Sequence, residues 1–204
     1  NPAASARTHM KLIKVGILGL GTVGCGTYDV LRRNAALIEA RCGAAIRVTR
    51  IATRTPGKER PIPVDRSLIS SDVAGLLADP EIDIVAELIG GVEPAREYVL
   101  AALAAGKPVV TANKELIAKH GPELRAAAVR AGVDLLFEGS VAGGIPLIKP
   151  LRESLAGNCI HEVMAILNGT TNFILSKMTE ESAGYHEVLA EAQELGYAES
   201  DPTS

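Results

Sequence analysis

A glycine-rich turn between a strand and a helix constrains this chain more than any other feature. Gly19–Gly24 reads GLGTVG and follows an apolar run, Val15–Leu18, that predicts a buried strand. A helix is predicted over Thr22–Ile38. In a G-x-G-x-x-G turn, the first glycine permits the turn, the second admits a pyrophosphate, and the third lets helix and strand pack closely. The helix N-terminus adds N–H groups and partial positive charge. We therefore predict a dinucleotide-binding turn; the alternative is a glycine-rich turn without a ligand.

Apolar runs and helical stretches alternate along the first two thirds of the chain. Further strands are predicted at Ile46–Thr53, Ile84–Ile89, Val109–Thr111 and Asp134–Phe137. Helices are predicted at Asp72–Ala78, Pro94–Ala105, Glu115–His120 and Glu123–Ala131, the last two separated by Gly121-Pro122, and Arg54–Ser71 is predicted as a loop. This alternation indicates the α/β class and a doubly wound parallel sheet, with the loops at the carboxyl ends of the strands on one edge.

The alternation weakens after residue 138. We expect a helix over Ile145–Leu155, a strand over Ile160–Leu167, and helices over Thr170–Met178 and Tyr185–Leu195. One strand without partner strands suggests an incomplete α+β domain. The domain prediction is therefore a vector-derived tail at 1–10, a dinucleotide-binding domain at 11–140 and the start of a second domain at 141–204.

The composition excludes several classes of protein. Because 21 basic residues face 24 acidic ones, the chain lacks the basic excess of a nucleic-acid binder. Aromatic residues make up only 3%, which argues against base-stacking platforms and for an aliphatic core. No run of about 18 apolar residues predicts a membrane span. Cys25, Cys42 and Cys159 fit neither a disulfide framework nor a zinc spacing, so we expect reduced thiols in a cytoplasmic protein.

Two cations follow the second predicted strand, where an NAD-specific fold usually carries an acidic residue for the ribose 2′-hydroxyl. Arg54 occupies that region and Lys58 follows in the same loop. Positive side chains suit a 2′-phosphate, so the sequence favours NADP over NAD. A solvated basic loop is the alternative.

Three later segments carry polar groups that could contact a ligand. Lys114 ends TANK, after the fourth strand, and could face nicotinamide or substrate, or simply begin a helix. Glu138–Pro146 reads EGSVAGGIP; one carboxylate with irregular backbone could hold a hard cation through oxygen atoms, or form an interdomain hinge. Asn168–Asn172 reads NGTTN and could contact substrate or cap a helix.

Five segments resemble the homoserine dehydrogenases in sequence and order: GLGTVG, TANK, EGSVAGGIP, NGTTN and LGYAESDP at Leu195–Pro202. The resemblance extends over nearly all of Met10 to Ser204. It implies a Rossmann-type domain and hydride transfer between L-homoserine and L-aspartate 4-semialdehyde, with NADP, or with NAD as the alternative, on the route to threonine, methionine and isoleucine. It also implies a bound sodium ion and a homodimer in the complete protein, with no nucleic-acid or membrane partner.

The resemblance also implies roles for individual residues. The cofactor would be held by Gly19, Gly21, Thr22, Val23, Gly24, Arg54, Lys58, Lys114 and Gly196. Lys114 would assist catalysis, and substrate would be contacted by Asn168, Thr170 and Glu199. Sodium would be bound by the Glu138 carboxylate and the backbone carbonyls of Val141, Gly143 and Ile145.

One departure from the family opens two alternatives. The family continues to an Asp and a Lys that bind substrate and donate the proton, whereas this sequence stops at Ser204. The first alternative is therefore a dinucleotide-binding fragment without turnover. The second is a related semialdehyde reductase with the same nucleotide fold, against which the EGSVAGGIP and NGTTN segments argue.

Overall fold

A computed structural model describes residues 11–166 and 168–198. The chain forms two compact units: the first unit ends at Gly144 and the second unit begins at Ile145. The predicted domain boundary, between residues 140 and 141, lies in the same glycine-rich segment. The predicted tail at 1–10 and the predicted substrate ligand Glu199 lie outside the described residues.

The first unit is built on one parallel sheet, which confirms the predicted fold class. Its strands are β1 (Lys11–Leu18), β2 (Ala44–Ala52), β3 (Ile69–Ser70), β4 (Ile84–Glu87), β5 (Val109–Thr111) and β6 (Leu135–Leu136). The six strands pair in parallel in the order β3-β2-β1-β4-β5-β6. The order reverses between β1 and β4, and ligands of doubly wound sheets bind at such a switch point.

Helices cover both faces of this sheet. They are α1 (Thr22–Arg33), α2 (Ala35–Cys42), α3 (Val73–Ala78), α4 (Ala95–Ala104) and α5 (Lys114–Ala131). Successive strand residues point to opposite faces, and the neighbours Ile17 and Leu18, both without exposed surface, belong to different core clusters. The aliphatic core expected from the composition therefore has two layers, one on each side of the sheet.

The structure corrects the predicted loop Arg54–Ser71. A 3-10 turn forms at Arg66–Leu68, and the edge strand β3 follows it and pairs with β2, Ile69 opposite Ile51. A strand of two residues is too short to produce an alternating pattern in the sequence, so only its pairing identifies it.

Two helix predictions were also wrong. The helix predicted over Thr22–Ile38 is broken at Asn34, whose φ and ψ of −99° and 16° lie outside the helical region. Asparagine is unfavourable in helix interiors because its side chain hydrogen-bonds to nearby backbone groups in non-helical conformations. The two helices predicted around Gly121-Pro122 form the single helix α5. Pro122 removes one hydrogen bond, but Leu116 and Leu124 on either side are fully buried in the same cluster, and this packing stabilises the helix across the break.

The second unit contains α6 (Gly169–Glu180) and α7 (Tyr185–Glu194), both predicted from the sequence. Their contact buries Ile174, Val188 and Ala192. The helix predicted over Ile145–Leu155 is shorter than expected: a single π-helical turn, Pro150–Ser154, forms there.

The strand predicted over Ile160–Leu167 was wrong for the described residues 160–166, which have no strand conformation. Leu167 lies outside the described residues. An apolar segment becomes a strand only when a neighbouring strand exchanges hydrogen bonds with it, and the described part of the second unit contains no such neighbour.

Candidate functional site

The glycine turn is shaped by two close backbone approaches. Gly19 has a φ of 98°, and its N–H donates to the carbonyl oxygen of Ala52 at 2.9 Å. A Cβ on Gly24 would lie 2.2 Å from the Gly19 carbonyl oxygen, so a side chain there would force the helix away from the turn. A Cβ on Gly21, in contrast, would meet open space. That space is where a phosphate would approach the backbone.

The N-terminus of α1 suits an anion. Its N-cap, Gly21, provides no side-chain acceptor, and the first turn carries no acidic residue. Thr22 and Val23 are exposed there, whereas Gly24 is buried. The N–H groups and positive end of the helix dipole are therefore not matched by a negative side chain in the first turn of the helix.

A cleft of about 560 Å³ opens beside this turn. Four residues that the sequence predicted for the cofactor line it together: Gly19, Gly21, Arg54 and Lys58. Thr53, Pro94 and Tyr98 also contribute to its walls. The cleft is positively charged, because Arg54, Lys58 and Arg60 line it and no described Asp or Glu does.

Sequence reasoning missed Arg60, a third cation in the same loop. Its guanidinium donates to the carbonyl oxygen of Leu20 at 2.7 Å and to that of Thr55 at 2.6 Å. These bonds hold the loop that carries Arg54 and Lys58 against the glycine turn. The Nε of Arg60 is buried and has no hydrogen-bond partner among the described residues. Its position three residues after a glycine, in the loop that also carries Arg54 and Lys58, was the available signal.

A buried polar group, also missed, lies at the ends of β4 and β5. Glu87 is the last residue of β4 and has no exposed surface. One carboxyl oxygen accepts from the N–H of Ile89 at 2.8 Å, and the other accepts from the hydroxyl of Thr111 at 2.6 Å. The apolar run Ile84–Ile89 in which Glu87 sits was the signal that an acidic residue would be buried.

Lys114 begins α5 directly after this group. The preceding residue, Asn113, caps the helix, because its side-chain oxygen accepts from the N–H of Leu116 at 3.1 Å. The Asn113 amide also donates to the carbonyl oxygen of Gly91 at 2.6 Å. The backbone beside Lys114 is therefore held, while the lysine itself is exposed.

The predicted sodium ligands begin with a 3-10 turn after β6, Glu138–Ser140. The Ser140 hydroxyl donates to the carbonyl oxygen of Thr111 at 3.0 Å and anchors the turn to the end of β5. Val141 and Gly143 follow in the first unit, whereas Ile145 belongs to the second. Over 11–166 and 168–198, no group of three or more His, Cys, Asp or Glu residues could hold a metal.

In the second unit, Asn168 caps α6, because its side-chain oxygen accepts from the N–H of Thr171 at 2.8 Å. The Thr170 hydroxyl donates to the carbonyl oxygen of Tyr197. Gly196, a predicted cofactor contact, has a φ of 75° at the end of α7. A helix-capping role for Asn168 is thus observed, and substrate contact stays a prediction. None of the described helices is long and apolar enough to cross a membrane.

Comparison with known proteins identifies two family models in the chain. The model described as homoserine dehydrogenase, NAD binding domain, matches residues 19–138. The model described as homoserine dehydrogenase matches residues 146–204. The first match alone contains the glycine turn, the cleft and the polar group at Glu87.

Curated relatives include the homoserine dehydrogenase of Pseudomonas aeruginosa, which is 53% identical over 194 residues, 95% of this chain and 44% of the relative. The homoserine dehydrogenase of Bacillus subtilis is 45% identical, over 96% of this chain and 45% of the relative. The chain therefore spans about half the length of the curated relatives it matches.

Solved structures agree with the fold. The crystal structure of a homoserine dehydrogenase from Thiobacillus denitrificans matches with a TM-score of 0.84 and 54% identity, over 95% of this chain and 45% of that chain. A hyperthermophilic archaeal homoserine dehydrogenase mutant in complex with NADPH matches with a TM-score of 0.78 and 28% identity, over 94% and 64% of the two chains.

Proposed function

This chain belongs to the homoserine dehydrogenase family, and we propose that it binds NADP and takes part in interconverting L-homoserine and L-aspartate 4-semialdehyde. The observation that carries the proposal is the positively charged cleft beside the glycine turn, where Arg54 and Lys58 meet Gly19 and Gly21. The nicotinamide of the bound cofactor would accept or supply the hydride.

The preference for NADP rests on the charges at the end of β2. An NAD-specific site would use a carboxylate to accept hydrogen bonds from the ribose hydroxyls, and no described carboxylate lines this cleft. Arg54 and Lys58 instead offer N–H donors and positive charge, which a 2′-phosphate would accept. Arg60 supports both by tying their loop to Leu20.

Lys114 is proposed to act at the other half of the site. It follows β5, while Arg54 and Lys58 follow β2 on the opposite side of β1. A cation there would stabilise negative charge that develops on the substrate oxygen during hydride transfer. The proposed contacts of substrate and cofactor also include Asn168, Thr170, Gly196 and Glu199. A homodimer, a cytoplasmic location and a place in the synthesis of threonine, methionine and isoleucine are further parts of the proposal.

Sodium binding is a further part of the proposal. The donors in the first unit are the Glu138 carboxyl and the carbonyl oxygens of Val141 and Gly143, and a hard cation prefers such oxygen ligands. The left-handed φ values of Ala142 and Gly143, 56° and 58°, turn the backbone sharply within this segment. Titration with sodium chloride should slow the backbone amide hydrogen exchange of this segment in the wild type and not in Glu138→Ala, with choline chloride as the control salt. An equal response in both would remove Glu138 from the site.

The experiment that tests the cofactor proposal is a binding titration of the chain with NADPH and with NADH. Replacing Arg54 with Ala should weaken NADPH binding about tenfold, the effect of losing one hydrogen bond to a charged group. NADH binding should change less than about twofold, since NADH has no 2′-phosphate. Glu59→Ala is the matched control, because Glu59 lies in the same loop but does not line the cleft.

The outcomes separate the candidate functions. Equal losses of NADPH and NADH affinity would overturn the role of Arg54 at the 2′-phosphate, and no binding of either dinucleotide by the wild type would overturn the whole proposal. Homoserine-dependent reduction of NADP, followed at 340 nm, supports the enzyme. NADPH binding without turnover supports the second candidate, a dinucleotide-binding module, which the gathering of Gly19, Gly21, Arg54 and Lys58 in one cleft of the first unit favours.

A further inference from the structure

We propose that Glu87 is a positioning residue for the nicotinamide half of the site, an inference that rests on the dinucleotide binding proposed above. Its buried carboxyl group fixes the backbone from which Lys114 projects. None of the sequence motifs includes Glu87, and Glu87 does not itself line the cleft beside the glycine turn.

The surroundings of Glu87 argue against a role in stability alone. The side chain has no exposed surface, and its two described partners are the N–H of Ile89 and the hydroxyl of Thr111, neither of them a cation. Removing a carboxyl group from water is costly even when it is hydrogen-bonded. An apolar side chain of similar size at the end of β4 would avoid that cost. The acidic residue therefore has to provide something that an apolar residue cannot, namely two directed acceptors.

Those acceptors begin a chain of hydrogen bonds, from Glu87 through Thr111 to Asn113, that ends beside Lys114 and is called the relay below. The Thr111 hydroxyl donates to Glu87 and accepts from the N–H of Asn113 at 3.0 Å. Asn113 then caps α5 through Leu116 and donates to the carbonyl oxygen of Gly91. Since Lys114 is the first residue of α5, the residue before it and the turn after it are both held by this relay.

The same relay joins three strand ends. Glu87 closes β4, Thr111 closes β5, and the Ser140 hydroxyl, in the turn after β6, donates to the Thr111 carbonyl oxygen. In a doubly wound sheet, the pyrophosphate lies at the end of β1 and the adenosine ribose lies toward β2. The ends of β4 and β5 therefore border the nicotinamide half, and that half is what the relay organises.

The test uses two variants of Thr111 that differ in the hydroxyl. Thr111→Val keeps the shape but removes the group that links Glu87 to Asn113, whereas Thr111→Ser keeps the hydroxyl. Each variant and the wild-type chain are titrated with NADPH and with 2′-phospho-ADP-ribose, which has the adenosine and pyrophosphate but no nicotinamide. Unfolding midpoints are measured on the same samples.

We expect Thr111→Val to reduce the affinity advantage of NADPH over 2′-phospho-ADP-ribose about fivefold, the usual effect of one lost hydrogen bond. The affinity for 2′-phospho-ADP-ribose itself should change less than about twofold. Thr111→Ser should retain most of the advantage. Glu87→Gln serves as a second variant in case Thr111→Val fails to fold: it keeps an acceptor for Ile89 but replaces the acceptor for Thr111 with a donor. The Thr111 hydroxyl must then accept from both the amide and Asn113, so a smaller loss in the same direction is expected.

A purely structural role would give a different result. If Thr111→Val and Glu87→Gln weaken both ligands equally, in proportion to a lower unfolding midpoint, or if both keep the full NADPH advantage, the positioning role is overturned while dinucleotide binding stands. If the wild-type chain binds neither ligand, the proposed function fails, and the positioning role fails with it.

Discussion

Similar apolar segments are buried in the first unit and exposed in the second. In the first unit, the strand residues Ile17, Val85 and Val109 have no exposed surface, because each strand lies between partners or under helices. In the second unit, the apolar segment 160–166 exposes Val163 by 54% and Met164 by 86%. Apolar side chains alone therefore do not produce a strand. A strand also requires a neighbouring strand that exchanges hydrogen bonds with its backbone.

The two units also differ in how much of each is core. The first unit has two clusters, one on each side of the sheet. The second has one small described cluster, Ile174, Val188 and Ala192, where α6 packs against α7. A small cluster removes little apolar area from water, so we expect the second unit to open more readily than the first.

The largest expected effect tests this difference directly. Leu103 is fully buried in the first unit, so Leu103→Ala should lower the free energy of unfolding by about 2–5 kcal/mol. Met164→Ala, in the exposed segment of the second unit, should change it by less than about 0.5 kcal/mol. Urea unfolding measures both. Comparable losses would mean that Met164 is buried in solution and would break the comparison.

The next effect lies within the first unit and concerns two glycines of α1. Gly24→Ala brings a Cβ to 2.2 Å from the Gly19 carbonyl oxygen and should destabilise the unit by about 1–3 kcal/mol. Gly26→Ala meets nothing within 4 Å and should stabilise the helix by about 0.5–1 kcal/mol. Urea midpoints, with NADPH titration of both variants, measure the difference. If Gly24→Ala keeps full stability and binding, close packing at this turn is not required.

A smaller effect compares helix caps in the two units. The Asp72 carboxylate caps α3 and the Asn168 amide caps α6, each by accepting from a backbone N–H at 2.8 Å. Replacing either with Ala should cost about 1 kcal/mol. Hydrogen exchange should rise in α3 or in α6 respectively, and Asn168→Asp, which keeps the acceptor, should restore protection. Faster exchange throughout the chain after Asn168→Ala would show that the second unit does not open independently.

The smallest effects are opposite pH dependences. The Arg96 guanidinium donates to the Glu123 carboxylate in the first unit and lowers the pKa of that carboxyl; His120 also contacts it. The resulting stabilisation is present at neutral pH and is lost as the pH falls through the folded pKa, below the ordinary value of 4.5. Glu191 in the second unit accepts from Lys177 and raises its pKa, so that stabilisation is lost as the pH rises above 10.5.

Unfolding midpoints across pH test both pairs. Glu123→Gln should flatten the acid side of the profile and Glu191→Gln the alkaline side, by small amounts because both pairs are partly exposed. If Glu123→Gln changes only the alkaline side, the ion pair is not the source of the acid dependence.

Much of the first unit could be predicted because its features are local. The strand before the glycine turn and the start of the helix after it follow from residues within a few positions of one another, and the parallel sheet follows from the alternation of such short elements. Two of the predictions that were wrong concern distant partners: β3 needs Ile51 opposite Ile69, and α5 needs core contacts on both sides of Pro122. The predicted cations Arg54 and Lys58 do line one cleft with the glycine turn, and their roles there stay predictions.

The glycine turn could be predicted from local sequence alone, since a left-handed φ at Gly19 and the absence of a Cβ at Gly24 are requirements of short stretches of backbone. The polar side chains that meet beside the candidate site could be identified only from the folded structure. Arg60 meets Leu20 across 40 residues of sequence, and Glu87 meets Thr111 across 24. A hydrogen bond depends on where two groups lie in space, and in a parallel sheet the strand ends that bring them together are separated by whole helices.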